Sequence, residues 1–288
     1  MKKYDSLYLK SKEQSKDLVF AHFQYSRNGL ELDFSSPFRP LAEMAIPERW
    51  ESLEKNEDGG RRFPAGNLEI LKSYLNQTFL RLQVEGKVLV SKDTSWTCFN
   101  TGLQEKTYGD DIYAFFQKNA NGEGNQDWFF KGFWSEPNAM KARMLDVFAG
   151  KPQVAEYYSA ENYKDLFFNL EYRTIVVSDH IVEDNEPRLP IQLRGNRFLA
   201  RNAIKGAVDG LYAKLRRNYK LAVPHWYENR IQLLLPLYIT DSQKADVALI
   251  AERNDDQKCY LIRTILTMDQ AYQDARVICR PDSDWLQV

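Results

Sequence analysis

The sequence predicts an α+β fold, with helices mixed among largely antiparallel β-sheet in a single compact domain. Three observations predict it. Segments with apolar residues at helical spacing are mixed along the chain with segments dense in aromatic and β-branched residues. Short polar turns link the strand-like segments, which favours antiparallel pairs over a doubly wound parallel sheet. At 288 residues, 43% apolar and 13% aromatic, the chain can bury a sizeable core. Residues 67–288 form the expected main domain, with 1–66 as an N-terminal extension packed on it.

The elements follow in order. Residues 68–83, LEILKSYLNQTFLRLQ, place Leu68, Leu71, Leu75, Phe79 and Leu82 at helical intervals. With Asn67 as N-cap they predict a helix. Gly86 closes it, and KVLVSKD (87–93) reads as a strand. TSWTCFN (94–100), DIYAFFQKN (111–119) and DWFFKGFW (127–134) follow as strands, the last two forming a hairpin across an Asn/Gly loop. PNAMKARMLDVFAG (137–150) reads as a helix, Pro137 near its start and Gly150 near its end. Residues 165–181 hold at least one strand, and 183–190 reads as an exposed connection. The chain from Arg197 to Lys220 reads as a helix. RIQLLLPLYIT (230–240), DVALIAE (246–252) and KCYLIRTIL (258–266) are three strands, and residues 253–257 join the last two as a hairpin turn. A short helix (266–278) and a tail (282–286) end the chain. NEDGGRRFPAGN (56–67) and NANGEGNQD (119–127) read as loops, and no internal repeat is evident.

Charge is balanced overall at −1 but not locally. Residues 194–220 hold eight lysines and arginines against Asp209 alone, a net of +7, so the rest of the chain carries −8. Residues 161–187, just upstream, carry seven acids and two bases. Cys98, Cys259 and Cys279 are far apart and odd in number, which argues against a disulfide framework and a thiolate zinc site. No apolar stretch follows the two lysines of MKKYDSLYLK, and LLLPLYI (233–239) is too short to span a bilayer. A reduced, cytoplasmic protein with no membrane partner is the expectation.

On a helical wheel Arg197, Arg201, Lys205, Arg216 and Lys220 share an arc of about 140°. Ala200, Ala203, Ile204, Ala207, Leu211 and Leu215 fill the neighbouring arc of about 120°. The apolar stripe suits a core and the basic one a polyanion, though such a stripe also serves as a solvated face or a partner for the acids upstream. Five of the eight cations are arginines, which suit bidentate phosphate contacts. Tyr219, Trp226 and Tyr227 add rings on which bases can stack. Gly206 and Gly210 weaken a helix interior and suggest close approach of a backbone or ligand.

Walker A loops, G-x-G-x-x-G turns, G-x-S-x-G elbows and His-x-x-x-His pairs are absent from the sequence. His180 stands beside Asp179, Glu183 and Asp184, which suggests a general acid or base, or a cation site; a hydrogen-bonded histidine beside solvated acids is the plainer reading. FNTGL (99–103) offers Asn100 and Thr101 at a turn, to a ligand or simply to the strand exit.

Several stretches, FLRLQVEGKV (79–88), FNTGL with DIYAFFQKN, residues 200–227, IQLLLPLYI (231–239), residues 248–276 and RPDSDWL (280–286), resemble a family of domains of unassigned function found in bacteria and fungi. Its members occur alone or fused to RNA-binding modules such as cold-shock domains and Cys/His zinc fingers. The resemblance implies an RNA-related role and transfers no catalytic residue.

Three functions follow as expectations. The first is an RNA-binding domain in which Arg194, Arg197, Arg201, Lys205, Arg216, Arg217 and Lys220 grip the backbone of RNA or another polyanion. Tyr219 and Trp226 would stack bases in it, with Asn100 and Thr101 as added polar contacts. The second is a phosphoester enzyme on RNA or a nucleotide with His180 as acid/base, requiring Mg²⁺ or Mn²⁺; otherwise no cofactor or metal is expected. The third is a module that docks a protein partner.

Overall fold

The computed structural model describes residues 2–10, 14–29, 31–56, 59–120 and 126–280. The loop positions 121–125, the tail at 282–286 and residues 57–58 of the loop at 56–67 lie outside the described residues. Two compact units form, Met1–Ser52 with Pro64–Glu156 and Leu53–Phe63 with Tyr157–Val288.

The first unit begins with the short strand β1 (Ala21–His22), the hairpin β2 (Ser26–Asn28) and β3 (Glu31–Asp33), and helix α1 (Arg39–Met44). Helix α2 (Glu69–Val84) follows, then β4 (Leu89–Val90), β5 (Trp96–Gln104), β6 (Asp111–Lys118), β7 (Trp128–Ser135) and the short helix α3 (Glu136–Lys141). The sheet order is β1-β7-β6-β5-β4, antiparallel except for β1, which runs parallel to β7. Alternation sorts the side chains. Phe99 and Phe116 face α2, where Phe79 and Phe20 complete a ring cluster; Phe20 lies 4.6 Å from Phe79 and 5.2 Å from Phe116. Cys98, Tyr113 and Phe115 face the other way, onto Ala139 of α3 and Phe148.

The N-terminal stretch contributes to this core. Leu7, Val19, Phe20, Phe38 and Leu41 are fully buried. Gln83 of α2 clamps the backbone of Tyr4, accepting from its N–H at 2.8 Å and donating to its carbonyl at 2.9 Å. The N-cap of α2 is Leu68 rather than the expected Asn67, which stands one residue before it and accepts from Glu69 N–H (3.3 Å) and Ser52 N–H (3.0 Å).

The second unit starts with β8 (Arg173–Val176), α4 (Ser178–Asp184) and α5 (Arg197–Leu215). Strands β9 (Val223–Tyr227), β10 (Arg230–Leu237), β11 (Val247–Asn254) and β12 (Cys259–Thr267) follow, then α6 (Met268–Ala275). The order is β8-β12-β11-β10-β9, again antiparallel with one parallel edge, β8 on β12. A capping box starts α6, with Gln270 N–H donating to Thr267 Oγ1 and Thr267 N–H to Gln270 Oε1.

Both units therefore share one topology: an edge strand, helices, four antiparallel strands of which the last returns parallel to the first, and a short helix directly after it. No sequence repeat announces this, because a common topology needs a common burial pattern rather than common residues.

Several expected elements differ in extent. The helix read over 137–150 stops at Lys141, where Ala142 leaves helical geometry and Arg143 takes φ +57°. Residues 178–184 form a helix rather than part of a strand or connection, burying Ile181 and Val182. Val223–Tyr227, between the helix read to Lys220 and the strand read from Arg230, is an edge strand for which no element was expected. The helix read over 197–220 ends at Leu215; Tyr219–Leu221 is a separate 3₁₀ turn that begins at Asn218, whose Oδ1 accepts from Lys220 N–H.

Candidate functional site

On α5 the apolar stripe is realised: Ala200, Ile204, Val208, Leu211 and Leu215 are buried. Asn196 caps the helix through Leu199 N–H at 3.0 Å. The neighbouring basic stripe is exposed but only partly open. Arg197 reaches Glu183 at 2.9 Å and Arg201 reaches Asp179 at 3.3 Å, both acids on α4. Two of the expected phosphate-binding arginines thus already meet carboxylates, at a solvated surface where such pairs are weak. Arg194 lies before the helix, half-buried, its Nε donating to Leu189 carbonyl at 2.8 Å. Arg217 caps the helix end through Ala213 carbonyl. Lys205 and Arg216 are exposed and form no ion pair among the described residues.

The 3₁₀ turn carries Tyr219 and Lys220 away from the stripe. Tyr219 is 66% exposed and its ring lies 6.2 Å from that of Phe167, itself 51% exposed. Both line an open groove of about 400 Å³ with Lys220, Pro224, Tyr158 and Arg280. Trp226 is half-buried, edge-on against Tyr157 at 5.4 Å.

Gly206 and Gly210 sit on the exposed side of α5, and a Cβ built at either meets nothing within 4 Å. No backbone among the described residues packs closely there. Gly206→Ala and Gly210→Ala should each stabilise the second unit by up to about 1 kcal/mol, raising the thermal midpoint. A fall in midpoint would contradict the open helix face.

His180 lies on α4, its side chain 53% exposed and its Nδ1 paired with Asp184 one turn on. It faces solvent rather than a cleft. Among the described residues no group of three or more His, Cys, Asp or Glu could hold a metal ion. Asn100 and Thr101 belong to the first unit and are buried. Asn100 donates to Asp111 Oδ2 and accepts from Gly102 N–H, while Thr101 donates to Ile112 carbonyl at 2.7 Å. They hold the irregular end of β5, where Gly102 takes φ +73° and a Cβ would lie 2.5 Å from Tyr74 Oη, so that both the backbone conformation and the space favour glycine. Their polar groups are satisfied inside the protein and are not offered to a ligand.

A second feature lies on the sheet face opposite α5, where the sequence suggested no site. His225 on β9 pairs in register with Gln232 on β10, and both are buried. Their side chains share a hollow of about 330 Å³ with Arg263, Arg188 and Asp274. Among the described residues neither ring nitrogen of His225 makes a hydrogen bond. Burial pushes its pKa down to about 4, Gln232 opposing this in part, so the ring is neutral at pH 7. Burial pushes the Asp274 carboxyl up to about 6, with Arg188 acting the other way. The signal was one histidine in VPHWY, an aromatic stretch that reads as stacking surface until alternation turns His225 inward and Trp226 to the other face.

The architecture defines an α+β protein of two five-stranded, mostly antiparallel sheets and a two-stranded hairpin, whose second unit places cations and exposed rings around α5 and a polar hollow across the sheet. The chain belongs to the family described as Domain of unknown function (DUF3825), which matches residues 41–285. Neither the curated proteins nor the solved structures yield a match. No helix among the described residues is long and apolar enough to cross a membrane.

Proposed function

We propose that the second unit binds single-stranded RNA across the foot of α5. The observation that carries this reading is the exposed ring pair Phe167–Tyr219 lining a groove beside Lys220. Rings that stand half or more in water leave much of their apolar area unburied by the fold, and base stacking on them contributes about 1–3 kcal/mol per base. Lys205 and Arg216 extend the positive surface along the helix without competing carboxylates among the described residues. Arg197 and Arg201 contribute less, since a phosphate must first displace Asp179 and Glu183.

Fluorescence anisotropy with a labelled RNA of about 12 nucleotides at two salt concentrations tests the reading. Tyr219→Ala and Phe167→Ala should each weaken binding about tenfold. Lys205→Gln and Arg216→Gln should each reduce the salt slope by about 0.7. Arg197→Gln should change affinity less than Arg216→Gln. Absence of binding at low salt, or displacement of the RNA by an acidic polypeptide but not by a second RNA, overturns this proposal.

A further inference from the structure

We propose that the hollow between β9–β12 and α6 is a binding site for a small organic phosphate of about nucleoside monophosphate size. The inference is independent of the RNA reading, since the hollow lies on the sheet face away from α5.

An orphaned polar group begins the argument. His225 is 1% exposed, yet neither Nδ1 nor Nε2 makes a hydrogen bond among the described residues. Buried polar groups are nearly always hydrogen-bonded, because a lost bond to water is not otherwise replaced. An exception that faces a hollow is a position prepared for an outside partner. Gln232, beside it, presents an amide that can both donate and accept.

The charge balance selects an anion. Arg230 is paired with Glu252, so these two cancel. Arg188 donates to Asn185 Oδ1 (2.7 Å) and Ile265 carbonyl (2.6 Å), neutral acceptors, so that Asp274 alone offsets its charge among the residues lining the hollow. Arg263 is exposed at the rim and makes no ion pair among the described residues. Two guanidinium groups therefore face one remaining carboxylate, Asp274. Ile250, Leu261 and Leu266 give the hollow an apolar wall. A bare anion would leave that wall unused; a phosphate attached to a flat ring would cover it, with His225 and Gln232 meeting the ring's polar edge. The volume of about 330 Å³ suits one such molecule.

The first unit supplies the comparison. Its matching sheet face, under the short helix that follows the last strand, is filled by Cys98, Tyr113, Phe115, Ala139 and Phe148. The topology is thus stable with an apolar packing at this place. The second unit departs from it with arginines, an amide and an unpartnered imidazole, residues that cost stability unless something occupies the hollow.

Isothermal titration of the full chain with AMP, GMP, CMP and UMP, beside inorganic phosphate and adenosine, tests the site. At least one nucleotide should bind with Kd at or below about 1 mM, and more tightly than phosphate or adenosine alone. Arg263→Ala should weaken it tenfold or more, and His225→Phe, which fills the hollow with an apolar ring, should abolish it. Arg263 is at the surface, so its variant remains informative where His225→Phe fails to fold. Tyr219→Ala, in the RNA groove, should leave nucleotide affinity unchanged, which separates the two proposals. No saturable binding by any of the four nucleotides, or equal affinity in wild type and both hollow variants, overturns the site.

Discussion

Phe116→Ala is expected to destabilise the first unit by about 3–5 kcal/mol, the largest single effect among the substitutions described. Phe116 is fully buried on β6. Its ring stacks on Phe99 at 5.7 Å, meets Phe20 edge-on at 5.2 Å and leans on Phe130 at 5.5 Å. These partners come from β5, the N-terminal stretch and β7, so none can collapse into the gap without breaking its own contacts. The loss then combines transfer of the ring to water with a cavity among close-packed aromatics. Tyr108→Ala, at a residue 85% exposed, should change stability by under about 0.5 kcal/mol and serves as the reference. Urea denaturation followed by circular dichroism measures both. A difference below about 1 kcal/mol between the two variants would falsify the ring cluster as the core of this unit.

The second large effect is on pH dependence. His225 titrates near 4 in the folded protein against 6.5 in the unfolded chain. The unfolded state therefore binds its proton first, and stability falls as the pH drops from about 6.5 to 4. Asp274 titrates near 6 when folded against 3.8 when unfolded. Here the folded state binds the proton first, and stability rises as the pH drops from about 6 to 4. Each window is worth about 3 kcal/mol at most, since a tenfold difference in proton affinity between the two states is worth about 1.4 kcal/mol. In the wild type the two trends oppose one another over the same range.

Separating them gives opposite outcomes. Asp274→Asn should raise stability at pH 7 by about 2–3 kcal/mol and should lose that advantage by about pH 4. His225→Phe should leave the pH 7 value unchanged or higher and should gain on wild type as the pH falls from about 6.5 to 4. Thermal midpoints of the three proteins at half-unit pH steps, read as differences from wild type, remove the contribution of other acids such as Asp255, which Lys164, Arg253 and Tyr172 hold well below the carboxylate range. Parallel curves for all three proteins would show that neither group has the buried environment described.

Much of the fold is legible in the sequence. The helix at Glu69–Val84 and the strands at Trp96–Gln104, Asp111–Lys118, Trp128–Ser135, Arg230–Leu237, Val247–Asn254 and Cys259–Thr267 follow from local periodicity and aromatic content, and the antiparallel pairing from short turns. What failed locally has local reasons. MKARMLDVFAG carries helical spacing, but its apolar residues pack as turns against Cys98, Tyr113 and Phe115 rather than along one helix face. SDHIVED falls across a strand-bearing segment and an exposed connection in the sequence, its helix hidden because only Ile181 and Val182 face inward. The basic stripe of α5 follows from angle alone, and its pairing with the acids upstream is one of the readings the sequence allows; which cations pair is decided by two helices lying side by side, so that Arg197 and Arg201 meet acids 14 and 22 residues upstream.

By itself the sequence determined the class of fold, the segments able to be helix or strand, and the concentration of positive charge near α5, since each depends on residues close along the chain. Only the tertiary structure decided that the topology occurs twice and that Asn100 and Thr101 serve the interior of the first unit. It likewise decided that His225, Gln232, Arg263 and Asp274 converge on one hollow. Those outcomes rest on which strand lies beside which, and pairing between distant strands is set by the burial of whole sheet faces, a quantity that no window of neighbouring residues contains.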